Sequence, residues 1–312
     1  MHKRSYKYSV IILSYNNYDQ VTKKCLESVV ENIDYNNTEI IVVDNFSQDD
    51  SALKIANFIR HCDSAIKITF HRCTENFGYA KGNNLGIKLA TGDFIVLLNN
   101  DTVVSPGWLD GLNAVFDDHK SLGLCGPISN SVGNEQQIII PFLDDKNFIE
   151  KFSRYSDTLW PKYNLTTDLG FFCVMIKREV IEKIGYLDEN FGIGMFEDTD
   201  YCARAKSSGF KLAFTQGVFV YHYGSFSFKK ITTIAYAEIF NRNLDYFISK
   251  HGSGHWGISL ILKNFWIMYK KLILEYDGAD VLDQLKMRAL SFDALIDTLN
   301  KIEFKNKINY ID

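Results

Sequence analysis

The sequence predicts an α/β protein: an open, mostly parallel sheet flanked by helices, followed by a helical C-terminal extension. Three observations lead there. Short aliphatic runs recur through the first hundred residues, as "SVIIL" (9–13), "EIIVV" (39–43) and "DFIVLL" (93–98). Segments with helical spacing lie between them. Each run also breaks off into a cluster of oxygen-bearing side chains.

The runs are β-branched or aliphatic at successive positions, as strands covered on both faces of a parallel sheet must be. Between the first two, "DQVTKKCLESVVEN" places Val21, Cys25, Leu26, Val29 and Val30 at helical spacing. Between the second and third come two further helical segments, "DDSALKIANFIRH" and "YAKGNNLGIKLA", separated by a short strand, "IKITF". This β-α-β-α-β-α-β order argues for an open α/β sheet.

Composition narrows the function classes. A chain of 312 residues, 46% hydrophobic and 23% charged, buries a substantial core and has room for one large domain or a domain with an appendage. A formal net charge of −4 gives no electrostatic footprint for nucleic acid. The six cysteines include no C-x-x-C pair, so they suit free thiols of a reducing cytoplasm better than a zinc site or a disulfide framework. The opening "MHKRSYKYSVIIL" runs into "SYNN" and not into a small-residue cleavage site, so no signal peptide is expected. No stretch approaches the roughly 20 apolar residues of a membrane span. The expected location is cytoplasmic, with peripheral contact at the inner face of the cell membrane left open.

The polar tips carry the chemistry. Leu13 is followed by Ser14-Tyr15-Asn16-Asn17, Val43 by Asp44-Asn45, and Leu98 by Asn99-Asn100-Asp101. Turn formation explains any one of them. Ligands of open α/β sheets, however, bind outside the carboxyl ends of the strands, and three such tips converge on one crevice.

These residues, with "IIVVDNFSQDDS", "NFGYAKGNNLGIKLATGDFIVLLNNDTVV" and "GYLDENFGIGMFEDTDYCARAKSSGF", resemble in order and spacing the family 2 glycosyltransferases of GT-A fold, over about residues 8 to 225. The resemblance implies a nucleotide-diphosphate-sugar donor, a divalent metal ion (Mn²⁺ or Mg²⁺) and inversion at the anomeric carbon. It implies a catalytic domain over 1–228, with a nucleotide-sugar half of about 1–104 and an acceptor half of about 105–228, and a helical extension over 229–312. The family's metal motif is often Asp-x-Asp or Asp-Asp. Here Asn99 takes the first position, a form similar to rhamnosyltransferases and related bacterial surface-polysaccharide enzymes that move hexoses or deoxyhexoses. The acceptor implied is a glycan or a lipid-linked hydroxyl.

Each residue then has a role and a plainer alternative. Asp101 is the expected metal ligand, with Asn99 and Asn100 beside the donor. His222, in "FVYHYGS", is a second ligand or a hydrogen-bonded structural histidine. Asp44 resembles the family's nucleotide-recognition aspartate. Its carboxylate would accept from the imino N–H of uracil or thymine, so the donor is a UDP- or dTDP-sugar; the alternative is a helix N-cap. Ser14 and Asn16 line the same base pocket. In the glycine-rich "NFGYAKGNNLG", Lys81 offers charge to the diphosphate, and Asn76 and Asn83 hold loop or sugar groups; a tight turn entering a helix accounts for the same glycines.

"MFEDTDYCARAKSSGF" reads as a helix from Asp198, stopped by Gly209. Asp198 is expected to be the base that takes the acceptor's proton, and Glu197 to orient it or bind an acceptor hydroxyl; a helix cap is the alternative for Asp198. Gly192 to Gly194 form a loop beside the donor. Trp160, in "FSRYSDTLWPKY", is a candidate acceptor contact or a loop anchor. In the tail, Ile258, Ile261, Leu262, Phe265, Met268, Tyr269 and Leu272 form an apolar helical stripe among lysines. It would pack on the catalytic domain, pair with a twin subunit or lie on an anionic membrane. Another amphipathic helix, "VLDQLKMRALSFDALIDTLNKI", follows.

Three rival functions remain open. Nucleotidyl transfer lacks its glycine-rich loop after the first strand, and glycoside hydrolysis leaves the polar tips unexplained. A non-catalytic nucleotide-sugar or carbohydrate binding protein of the same fold is the third.

Overall fold

The computed structural model describes residues 6–138, 162–224 and 233–252. Trp160 and the tail helices expected around 258–272 and 281–302 lie outside the described residues. Contacts divide the chain into two compact units, Met1–Leu244 and Asp245–Asp312.

Up to Asn99 the chain alternates strand and helix as the sequence dictates; the later elements include consecutive strands, and the last helix runs past Leu244. β1 (Tyr8–Ser14) leads through a π-helical turn (Tyr18–Thr22) into α1 (Lys23–Glu31), then come β2 (Thr38–Asp44), α2 (Ser51–His61), β3 (Ile68–Arg72), α3 (Gly78–Leu89) and β4 (Phe94–Asn99). β5 (Thr102–Val104), α4 (Trp108–Asp118), β6 (Leu122–Ile128) and β7 (Tyr163–Thr166) follow, then β8 (Cys173–Lys177), α5 (Arg178–Ile184), α6 (Glu197–Ser207), β9 (Lys211–His222) and α7 (Thr233–His251).

The sheet order is β3-β2-β1-β4-β8-β6-β9-β5, with β7 on β9. β1, β2, β3 and β4 pair in parallel. Beyond β4 the sheet is mixed: β8 is antiparallel to both β4 and β6, while β6 and β9 run parallel. Alternate residues of each central strand enter different cores. Ile11, Ile41, Val43, Ile95 and Leu97 pack with Ala80 and Ile87 of α3 and with Tyr201, Cys202 and Ala205 of α6. Val10, Ile12, Ile40, Val42, Val96 and Leu98 pack with α1, Ile55 of α2 and Trp108, Leu112 and Val115 of α4. Burial on both faces is why the strands are apolar at every position. Each such side chain contributes roughly 1.5–3 kcal/mol.

The glycines of "NFGYAKGNNLG" serve this packing. A Cβ at Gly82 would lie 2.5 Å from Leu13 Cδ1, and one at Gly86 would lie 2.4 Å from Ile11 Cγ2. Spaced four apart on α3, they let the helix approach β1. The motif is a packing face, entered at Gly78 with φ +72°.

Candidate functional site

Parallel register brings the first polar tips together. Ser14 stands opposite Asp44, and Leu13 opposite Asn99, so the ends of β1, β2 and β4 share one sheet edge. β8 runs the other way, and its Cys173 pairs with Leu98. The residues leading into it therefore reach the same edge, where the Phe172 carbonyl accepts from Asn99 N–H at 2.8 Å.

On β2, Asp44 is fully buried. Its Oδ2 accepts from Ser47 N–H at 3.2 Å and lies 3.5 Å from Arg72 Nε. Its Oδ1 is buried with no hydrogen-bond partner. It does not cap a helix, because Asp50 occupies the position before α2. Ser14 Oγ lies 3.2 Å from Thr22 Oγ1, which accepts from Asn100 Nδ2 at 2.8 Å. Asn16, at φ +54°, accepts through Oδ1 from Gln48 N–H at 2.7 Å. Asn76 braces its own loop, with Oδ1 accepting from Asn45 Nδ2 at 3.0 Å and from Gly78 N–H at 2.9 Å. Asn83 donates to the Tyr79 carbonyl at 3.0 Å. Lys81 lies 3.9 Å from Glu75 and 3.8 Å from the centre of the Phe77 ring.

β5 and β9 bring together two residues far apart in sequence. Thr102 pairs with His222, and His222 Nε2 sits 3.2 Å from Asp101 Oδ1. The other ring nitrogen, Nδ1, lies 2.6 Å from the Ser131 carbonyl, which makes it the N–H and leaves Nε2 free to ligate. Phe172 stacks on the imidazole with centroids 5.3 Å apart. Burial opposes charge on His222, but Asp101 and the Ser131 carbonyl outweigh it and raise its pKa. A carboxylate oxygen and an imidazole nitrogen this close are the donors that would hold a divalent ion between them. Among the described residues there is no group of three or more His, Cys, Asp or Glu able to hold a metal. Water and phosphate oxygens would complete such a shell.

The second acidic group starts α6. Phe196 (φ +73°) is the residue before the helix, so Asp198 is not its cap. Asp198 accepts from Thr199 N–H at 2.8 Å and from the Phe171 backbone. Burial nevertheless raises its pKa. Glu197 is buried, with Oε2 unpartnered, and burial followed by repulsion from Asp198 pushes its pKa up to about 8. Asp200 is different: Arg204 Nε donates to it at 2.7 Å.

Two residues outside the quoted carboxylate and strand-tip motifs complete the arrangement. Asp168 accepts from Thr199 Oγ1 at 3.3 Å, and burial together with Asp198 pushes its pKa up to about 7. Tyr79 donates to the Phe171 carbonyl at 2.5 Å and lies within electrostatic reach of Glu197, Asp198 and Asp101 alike. Phe171 thus touches the Asp198 side, and Phe172 touches His222 and Asn99. Adjacent residues join the two acidic groups. Tyr79 was visible inside "NFGYAKGNN"; Asp168 had only its place before an apolar run as a signal. Lys24 was also missed. It donates to Tyr223 Oη at 3.2 Å, and Tyr223 N–H donates to the Asp101 carbonyl at 2.9 Å.

This assembly of strand-tip and helix-start carboxylates occurs in a chain whose residues 9–185 match the family described as Glycosyl transferase family 2. The chain belongs to that family. It is 25% identical over 257 residues to the uncharacterised protein y4gI of Sinorhizobium fredii, covering 76% of this chain and 26% of that one. It is 26% identical over 200 residues to the minor teichoic acid biosynthesis protein GgaB of Bacillus subtilis, covering 61% and 20%. The family 2 chain therefore spans about a quarter or less of these relatives' lengths. A crystal structure of GalNAc-T7 with UDP, GalNAc and Mn²⁺ superposes with a TM-score of 0.57 at 16% identity, over 84% of this chain and 54% of that one. The likeness establishes the GT-A fold. Among the described residues no helix is long and apolar enough to cross a membrane.

Proposed function

We propose that this family 2 member is an inverting glycosyltransferase that moves a hexose or deoxyhexose from a UDP- or dTDP-sugar to a hydroxyl of a glycan or lipid-linked acceptor in surface-polysaccharide synthesis. The observation that carries the proposal is the joining of the Asp101–His222 pair to Asp198 through Phe171, Phe172 and Tyr79.

Asp44 Oδ1, a buried acceptor without a donor, takes the imino N–H of the base, with Ser14 and Asn16 beside it. Asn99, Asn100 and Lys81 face the donor's sugar and phosphates. Asp101 and His222 hold the divalent ion. When bound, that ion stabilises the departing diphosphate as a Lewis acid. Asp198 takes the acceptor hydroxyl's proton, the oxygen's electron pair forms the new bond to the anomeric carbon, and the bond to phosphate breaks with its pair on the nucleoside diphosphate. A carboxylate raised by burial is the stronger base for that step. Glu197, neutral below about pH 8, donates a hydrogen bond to an acceptor hydroxyl without adding a second negative charge.

The test is release of nucleoside diphosphate from a panel of uridine and thymidine diphosphate sugars, with and without Mn²⁺ and with added acceptor. Affinity for a donor without any release would replace the proposal with a binding protein.

A further inference from the structure

The turn that delivers Glu197 and Asp198 is held in a shape its own residues disfavour. Met195 and Phe196, neither of them glycine, sit at φ 77° and 73°, directly before the acidic pair. Side chains resist this left-handed region, so surrounding contacts must impose it. One contact comes from α3, where Tyr79 N–H donates to the Ile193 carbonyl at 3.1 Å. The others come from α7. Phe240 packs on Phe196 with ring centroids 5.1 Å apart. Asn243, which is 1% exposed, directs its amide nitrogen at three carbonyls of the turn: Phe191 at 2.9 Å, Gly194 at 2.8 Å and Met195 at 3.0 Å. Arg242 donates through Nε (3.1 Å) and Nη2 (3.0 Å) to Asn243 Oδ1, which fixes the end of the amide that faces the turn. Arg242 Nη2 also lies 3.3 Å from the Phe191 carbonyl. A buried amide with its acceptor taken by a guanidinium and its donors spent on one turn is a clamp.

We propose that Asn243 is a positioning residue: oriented by Arg242, it holds the Gly192–Phe196 turn in its left-handed form and thereby sets where Glu197 and Asp198 stand. The consequence for catalysis rests on the transferase reading above; the clamp itself does not. Asn243 touches no substrate in this role, so its loss acts on turnover and not on nucleotide binding.

The test uses the full chain and reads the turn and the chemistry separately. In Asn243→Ala, amide hydrogen exchange across residues 191–199 should speed up at least about tenfold while the strands β1, β2 and β4 stay protected. UDP affinity measured with Mn²⁺ should hold within about twofold, and kcat should fall at least about thirtyfold with donor KM nearly unchanged. Asn243→Asp should be at least as damaging, because a carboxylate would face three carbonyl oxygens. Adding Met195→Gly to Asn243→Ala should restore part of kcat, since glycine accepts the left-handed conformation unaided. Arg242→Gln, a milder change, should move exchange and kcat the same way by less, and it decides the matter if Asn243→Ala does not fold. Unchanged exchange across 191–199 overturns the clamp, and faster exchange with unchanged kcat overturns its positioning role. A wild-type chain that releases no nucleoside diphosphate overturns the transferase reading, and exchange alone then judges the clamp.

Discussion

Glu39 and Asp44 occupy the same strand, five residues apart, and both are buried, yet they are built for opposite purposes. At the amino end, Glu39 Oε1 accepts from Ser9 Oγ (2.7 Å), Thr91 N–H (2.7 Å) and Thr91 Oγ1 (2.9 Å). Ser9 is itself held by Gly92 N–H at 2.8 Å. At the carboxyl end, Asp44 keeps one oxygen without a donor. The same contrast recurs on α6, where Asp200 pairs with Arg204 and Glu197 leaves Oε2 unpartnered. Buried polar atoms are normally satisfied, and an orphan costs roughly 1–3 kcal/mol. Satisfied carboxylates hold the fold. Asp44 stands at the carboxyl tip of β2, where a ligand can supply the missing donor, while Glu197, neutral below about pH 8, has a proton of its own to offer.

Substitutions at the two kinds of carboxylate should separate activity from stability. The largest effect is expected at Asp198: Asp198→Asn should slow sugar transfer by about 10³-fold, measured by nucleoside diphosphate release, while UDP binding stays unchanged. Near-normal turnover would end its role as base. Glu39→Ala should do the reverse. It removes three hydrogen bonds at the distant end of the strand and should cost about 3 kcal/mol in urea unfolding, with activity per folded molecule preserved.

Glu197 should show its strain through pH. Its carboxyl titrates at about 8 in the fold against 4.5 ordinarily. The native chain therefore binds more protons than the unfolded one across that window, and stability falls as pH rises through it. Glu197→Gln removes this loss, so its unfolding free energy should exceed the wild type's by roughly 4 kcal/mol at pH 8 and by under about 1 kcal/mol near pH 5. The smallest effect belongs to Asp44→Asn, expected to weaken UDP binding about tenfold, or ~1.4 kcal/mol, with little change in stability. A large loss of stability there would place Asp44 with Glu39 among the structural carboxylates.

The fold was legible wherever local pattern and global burial agree. The runs around Ile11, Ile41 and Leu97 announced strands covered on both sides, and the helices between them followed from spacing. The carboxylates on the quoted motifs were legible too, because a charged or amide side chain directly after an apolar strand is conspicuous. Less visible was anything whose partner is distant in sequence. The insertion of β8 as an antiparallel strand beside β4 left no local mark. Asp168, Phe171 and Phe172 matter because that insertion carries them to the edge of β1, β2 and β4. Asn243 looked like any helix residue, since its three acceptors belong to a turn about fifty positions earlier.

By itself, then, the sequence determined strands β1 to β4, the helices between them, α6 and the identity of the acidic residues, because those depend on interactions within a few residues and on simple apolar periodicity. Tertiary structure alone decided which oxygens found donors. Hydrogen bonds are short and directional, so whether Glu39 is satisfied, Asp44 and Glu197 are left open, and Asp101 meets His222 depends on register and packing between segments that no local pattern encodes.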